Sequence, residues 1–298
     1  MNNRNTNIKK CPLHINTQLE KKVEEEEDEE EEDKRDITIF KSHNCSKMVS
    51  IISCSNLKNG VDFLLVSEND KQIRLKNNKW RNYNFGVYLV GKNITLTVHC
   101  DETINRKEFG HLKIKASHLW IKHSSSTIDC SELGYPSDQG PGKGESGECN
   151  GHSGGGGYGT KGGYNFKKGG TTYGEETLQK EICFGSGGGR GIKHKDDYGG
   201  SGGGIIELII EHQLLNRGSI RSNGGDSCMK GGGGSGGSIL IKLQQSLFSH
   251  DFGTIQCIGG EYGEVNKGGK GRIAIYGQKL QPDDIKKINP KPFNSINK

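Results

Sequence analysis

Three short runs of alternating branched aliphatic residues govern what this chain can fold into. Ile206, Leu208 and Ile210 align with Ile239, Ile241 and Leu243, and then with Ile273 and Ile275. Their starts lie 33 and then 34 residues apart, by subtraction of the residue numbers. Alternation at period two marks a strand with one buried face, and recurrence at a fixed spacing marks a repeat architecture. A short polar turn follows each of the first two runs. Then comes a matching triplet, Gly218-Ser219-Ile220 or Gly253-Thr254-Ile255, and a glycine-rich return to the next run. A related unit lies upstream in HLKIKASHLWIKHSSSTIDCSELGY, where Leu112, Ile114, Leu119, Ile121 and Ile128 take the inward role. Its return, 134–204, is the longest and the richest in glycine.

A unit of strand, turn, strand and return predicts an all-β fold, a glycine-rich parallel β-solenoid in which equivalent strands stack at about 4.8 Å. Only 30 % of the 298 residues are hydrophobic and 47 are glycine, so the core has to be narrow. Glycine suits corners that need positive φ or close backbone approach. A rival arrangement for 134–204 is a bundle of polyproline-II segments with glycines at the contacts. That bundle calls for glycine at a period of three, and the spacing here is irregular. A flexible linker fits less well, because the flanking strands keep register across the glycines.

The chain divides into four parts. Residues 1–36 read as a disordered segment containing ten consecutive acidic residues, Glu24 to Asp33, which repel one another and bury nothing. Residues 37–110 read as a short N-terminal β region with strands in ITIF, MVSIIS, DFLLVS, GVYLV and NITLTVH. Residues 111–277 are the glycine-rich solenoid and 278–298 a C-terminal tail. LQKEICF (residues 178–184) reads as one more strand or a short helical turn.

The net charge of +5 conceals a clearly basic remainder behind the acidic run, which reads first as a lysine-rich solvated surface. No apolar stretch approaches a membrane span and no signal sequence is visible, so the expected location is the cytoplasm. An incomplete N-terminus would leave an extracellular location open. Nine cysteines without a C-x-x-C pair read as reduced thiols. The glycine runs miss both the P-loop spacing and the strand–glycine–helix order of a dinucleotide site, so no cofactor and no nucleic acid are indicated. Cys11 and His14, with His43, Cys45 and Cys54, lack the spacings of a closed zinc site, and no metal is expected.

The series IDCSELGYPSDQGPGKG, GGGGYGTKGG, YGGSGGGIIELII, GSIRSNGG, GGGGSGGSILIKL, GTIQCIGG and GGKGRIAIYG resembles a glycine-rich repeat region of large uncharacterised protist, plant and bacterial proteins. The resemblance covers about residues 111–277 and implies a fold similar to the pectin-lyase-like parallel β-helices. Enzymes of that group use clustered aspartates, or Ca²⁺ with a basic residue, on one face. Here the paired aspartates, Asp196-Asp197 and Asp283-Asp284, lie outside the alternating strands.

The expected function is therefore a non-enzymatic structural or interaction module. The alternative is a carbohydrate-binding or degenerate carbohydrate-processing β-helix protein. Repeat surfaces bind through outward residues, here Lys113, Lys115, Lys122, Lys242 and Arg272. Aromatic rings can stack on sugars or bases. Trp120, Lys122, Tyr158 and Tyr164 are the candidate binding residues, with Tyr173 and Tyr198 behind them, and a protein or polysaccharide is the expected partner.

Overall fold

The computed structural model describes residues 38–41, 50–53 and 63–297, apart from 101, 104–105, 148–151, 165–166, 192–197, 246–247 and 262–265. The acidic segment, Cys11, His14, His43, Cys45, Cys54 and Asp196-Asp197 lie outside the described residues. In chain order the strands are β1 (Thr38–Lys41), β2 (Ser50–Ser53), β3 (Phe63–Val66), β4 (Gln72–Lys76), β5 (Trp80–Tyr83), β6 (Gly86–Leu89) and β7 (Thr95–His99). There follow β8 (Glu102–Thr103), β9 (Arg106–Lys107), β10 (His111–Ile121), β11 (Thr127–Asp129), β12 (Ile205–Asn216) and β13 (Ser219–Arg221). The last are β14 (Ser238–Leu243), β15 (Thr254–Gln256), β16 (Arg272–Tyr276), helix α1 (Pro282–Lys286), β17 (Ile288–Asn289) and β18 (Phe293–Ser295).

The fold is all-β and built mainly from two parallel sheets. One has the order β18-β16-β14-β12-β10-β6-β3, with β5 also on β10; the other runs β17-β15-β13-β11-β7-β4. Two short antiparallel pairs, β1–β2 and β8–β9, stand apart from them. The aliphatic ladder read from the sequence is the ladder of the first sheet. Leu112 pairs with Ile206, Ile206 with Ile239, and Ile239 with Ile273. In the second sheet Ile128 pairs with Ile220 and Ile220 with Ile255. Inward side chains of both sheets meet in one narrow core, in which Ile114, Leu208, Ile241, Ile128, Ile220 and Ile255 are wholly buried.

Two expected boundaries give way. The N-terminal β region is not a separate unit, because β6 pairs with β10 and β7 with β11. Residues 278–297 are not a tail: β17 extends the second sheet, β18 extends the first, and Leu280 and Ile288 join the core. The segment was misread because a two-residue strand and a three-residue strand are too short to show alternation.

The glycine runs neither pair as strands nor dangle. Gly232 and Ser235 donate backbone hydrogen bonds to Gly189 and Ser186, Gly233 and Gly236 to Asn266 and Gly269, and Gly234 and Gly237 to Gly225 and Ser222, all at 2.8–2.9 Å. Every third donor faces the same neighbour. That is the period of polyproline II, a helix with no internal hydrogen bonds whose backbone groups must find partners outside it. The same run accepts from Gly200, Gly156 and Gly260 at 2.8–2.9 Å. The runs thus form the polyproline-II-like bundle that the irregular glycine spacing argued against. Serine fills some of the required small positions: Ser153, Ser186 and Ser235 are wholly buried.

Close approach, not positive φ, is what demands glycine here. Among the described glycines only Gly86, Gly140, Gly174, Gly253 and Gly277 have positive φ. A Cβ on Gly232 would lie 1.9 Å from the carbonyl oxygen of Gly154.

Candidate functional site

In β10 the inward positions Leu112, Ile114, Leu119 and Ile121 are buried, so the alternate residues Lys113, Lys115 and Trp120 stand on the outer side. Parallel register carries that side across the sheet. Lys113 pairs with Trp80 on β5 and Glu207 on β12, and Trp120 pairs with Tyr88 on β6 and Leu215 on β12.

Half of this outer face is covered. The chain from Tyr173 to Phe184 crosses β14 and β16 as a strap without regular secondary structure, rather than the strand or helical turn expected of LQKEICF. Leu178 at its centre is wholly buried against Leu240, Ala274 and Tyr276. Tyr276 Oη donates to the Thr177 carbonyl at 2.6 Å, Ser238 Oγ to the Cys183 carbonyl at 2.6 Å, and Arg272 to the Tyr173 carbonyl at 2.8 Å. Leu178 holds φ at +54°, an unusual value for a branched residue, kept by this burial.

The open half, over β5, β10 and β12, is charge-paired rather than basic. Lys115 Nζ lies 3.1 Å from Glu211 Oε1, and Lys113 Nζ 3.9 Å from Glu207 Oε1. His111 Nε2 lies 2.5 Å from Glu207 Oε1. Lys113 also sits over the Trp80 ring, 5.8 Å from its centre, while 47 % of Trp80 remains exposed. The lysines were legible in the sequence. Their glutamate partners are 94 and 96 residues further on, by subtraction of the residue numbers, and only the register joins them.

Beyond a bulge between Ala116 and His118, the face turns aromatic. His118 packs against His212 with ring centres 5.3 Å apart, and His212 against Phe248 at 5.8 Å. His118 Nδ1 lies 3.1 Å from Ser117 Oγ. Burial, aided by the neighbouring His212, pushes the His118 pKa down to about 4. Trp120 meets Tyr88 edge-on at 6.5 Å, and its Nε1 is buried without an acceptor among the described residues.

The four predicted binding residues do not converge. Trp120 and Lys122 lie together at the end of β10, both half-buried. Tyr158 belongs to the glycine bundle and is wholly buried, its hydroxyl 2.8 Å from Ser238 Oγ and its ring 4.7 Å from Tyr173. Burial drives its pKa well above the usual tyrosine value. It packs the bundle against the sheet and offers no outer surface. Tyr164 is 65 % exposed, also on the glycine-rich segment. Arg272, expected to point freely outward, is held by the strap. Trp80, Glu207 and Glu211 were missed.

Among the described residues no three metal-ligating side chains cluster, and no helix is long and apolar enough to cross a membrane. No family model, curated protein or solved structure matches this chain.

Proposed function

We propose that the chain is a glycine-rich parallel β-solenoid acting as a non-enzymatic interaction module. The supporting observation is that the outward charges of successive strands neutralise one another: Lys113 with Glu207, Lys115 with Glu211, and Asp129 with Arg221 at 2.7 Å. Carboxylates engaged in this way order a surface. Cleavage of a glycosidic bond by the usual two-carboxylate route needs a pair no more than about 9.5 Å apart. Glu207 and Glu211 are four positions apart on one strand, about 13 Å. Asp129 lies on the other sheet. The arrangement favours holding a partner over processing one.

The test is to incubate the full chain with neutral and acidic polysaccharides and assay both reducing ends and the ultraviolet absorbance of unsaturated products. No release above a heat-denatured control is expected. Release that disappears in Glu207→Gln would overturn the non-enzymatic reading.

A further inference from the structure

The chain has two tryptophans, Trp80 and Trp120, and the register puts both on the outer side of one sheet, Trp80 exposed and Trp120 half-buried. The geometry points to the open strip of that side, over β5, β10 and β12, as the binding face for a neutral oligosaccharide laid along the strands. This rests on the reading of the chain as an interaction module and names its ligand.

Three observations select that ligand. The first is the pair of rings. An exposed indole presents an apolar face on which the C–H side of a sugar can stack. Trp80 stands beside Lys113 and Trp120 seven residues further along β10, so the rings are about 20 Å apart along the strand, a span of several sugar units. The second is the chemistry between them. Lys113, Lys115, His111, Glu207 and Glu211 supply alternating donors and acceptors, and each lysine is matched by a glutamate. The paired charges of β10 and β12 suit the hydroxyls of an uncharged sugar, while Lys76, Lys79 and Arg81 close to Trp80 make the acidic comparison sugars a necessary arm of the test.

The third is size. The strap over β14 and β16 leaves at most a strip of three strands by nine residues, about 15 Å by about 30 Å, which the buried His118 and Gln213 narrow before Trp120. That is well below the roughly 800 Å² per partner of a stable protein interface. A second copy or a folded protein would have too little surface, whereas a sugar chain is narrow.

The experiment titrates the full chain with cellohexaose, laminarihexaose and chitohexaose, following tryptophan emission and heat. Hexagalacturonate and a heparin hexasaccharide serve as acidic comparisons. At least one neutral hexasaccharide is expected to shift the emission and bind. Trp80→Ala should weaken it at least tenfold, and Tyr164→Ala should leave it unchanged. Trp80 is exposed, so its variant retains the fold; Trp120→Phe keeps an aromatic ring at the half-buried position and should also weaken binding, with an unchanged circular dichroism spectrum showing that the fold is kept. The proposal is overturned if no neutral sugar perturbs either tryptophan, if Trp80→Ala binds as well as the parent, or if only the acidic sugars bind. Sugar release that Trp80→Ala abolishes would leave this face standing and sink the non-enzymatic reading instead.

Discussion

At the scale of single residues, the glycines are specified by what touches them. A methyl group on Gly232 meets the backbone of Gly154, which cannot yield without moving another bundle segment; on Gly225 it meets only the Glu132 side chain, at 2.9 Å. Overpacking against fixed backbone costs about 1–3 kcal/mol. Gly232→Ala should therefore lose that much in chemical denaturation, and Gly225→Ala should stay within about 1 kcal/mol of the parent. The buried His118 gives a second residue-scale prediction. Its folded pKa, about 4, lies below the ordinary 6.5. The unfolded chain thus binds the proton first, and stability falls as pH drops from about 6.5 towards 4. Protonation would place a charge against His212 in an apolar setting. The loss attributable to this group is on the order of 3 kcal/mol at pH 4. His118→Gln should flatten the dependence of the denaturation midpoint on pH across that window.

At the scale of elements, the strap is held by Leu178, by the flanking Tyr173, Ile182 and Phe184 and by a few hydrogen bonds, while the sheet beneath it is held by a continuous ladder. Leu178→Ala removes the buried anchor and should cost the strap about 2–3 kcal/mol. Hydrogen exchange should quicken across residues 173–184 while the amides of β12 and β14 keep their protection; equal loss in both would show that strap and sheet open as one unit. The ladder itself was legible in the sequence, because Ile206, Ile239 and Ile273 repeat both spacing and alternation. The strands β4 and β5 were not, since Gln72–Lys76 and Trp80–Tyr83 hold few apolar residues and owe their pairing to neighbours already in place. The strap was misjudged for a related reason. Its apolar residues face a surface outside the main core, which no periodicity in LQKEICF reveals. Of the candidate site, the lysines of β10 and Trp120 could be read from alternation, but the glutamates opposite them required the register.

At the scale of the whole molecule, each strand is stabilised mainly by the ones before and after it, and the ends need protection. At the C-terminal end Pro282 occupies the first position of α1, the Gln281 N–H donates to Asp284 Oδ2 at 3.3 Å, and Lys286, Lys287 and Lys291 lie exposed beside the last strands. Lysines at a sheet edge discourage pairing with another chain. Truncation at residue 277 would remove Leu280 and Ile288 from the core and leave one edge of β15 and of β16 without a partner. A loss of about 3–6 kcal/mol is expected from the two side chains, together with concentration-dependent association in sedimentation velocity. A truncated chain that stays monomeric and equally stable would mean that the last strands contribute nothing.

The threefold rotation of donors in the 231–237 run also sets a rule for how its length can vary. Adding or deleting one residue turns every later N–H by a third of a revolution, away from its own acceptor and towards a neighbour whose oxygen is already taken. Adding three returns each group to the side it left. A change of length by triplets therefore keeps the facing of each group, with an axial advance of about 9 Å per triplet left to accommodate, whereas any other change loses both, a reading frame written in hydrogen bonds.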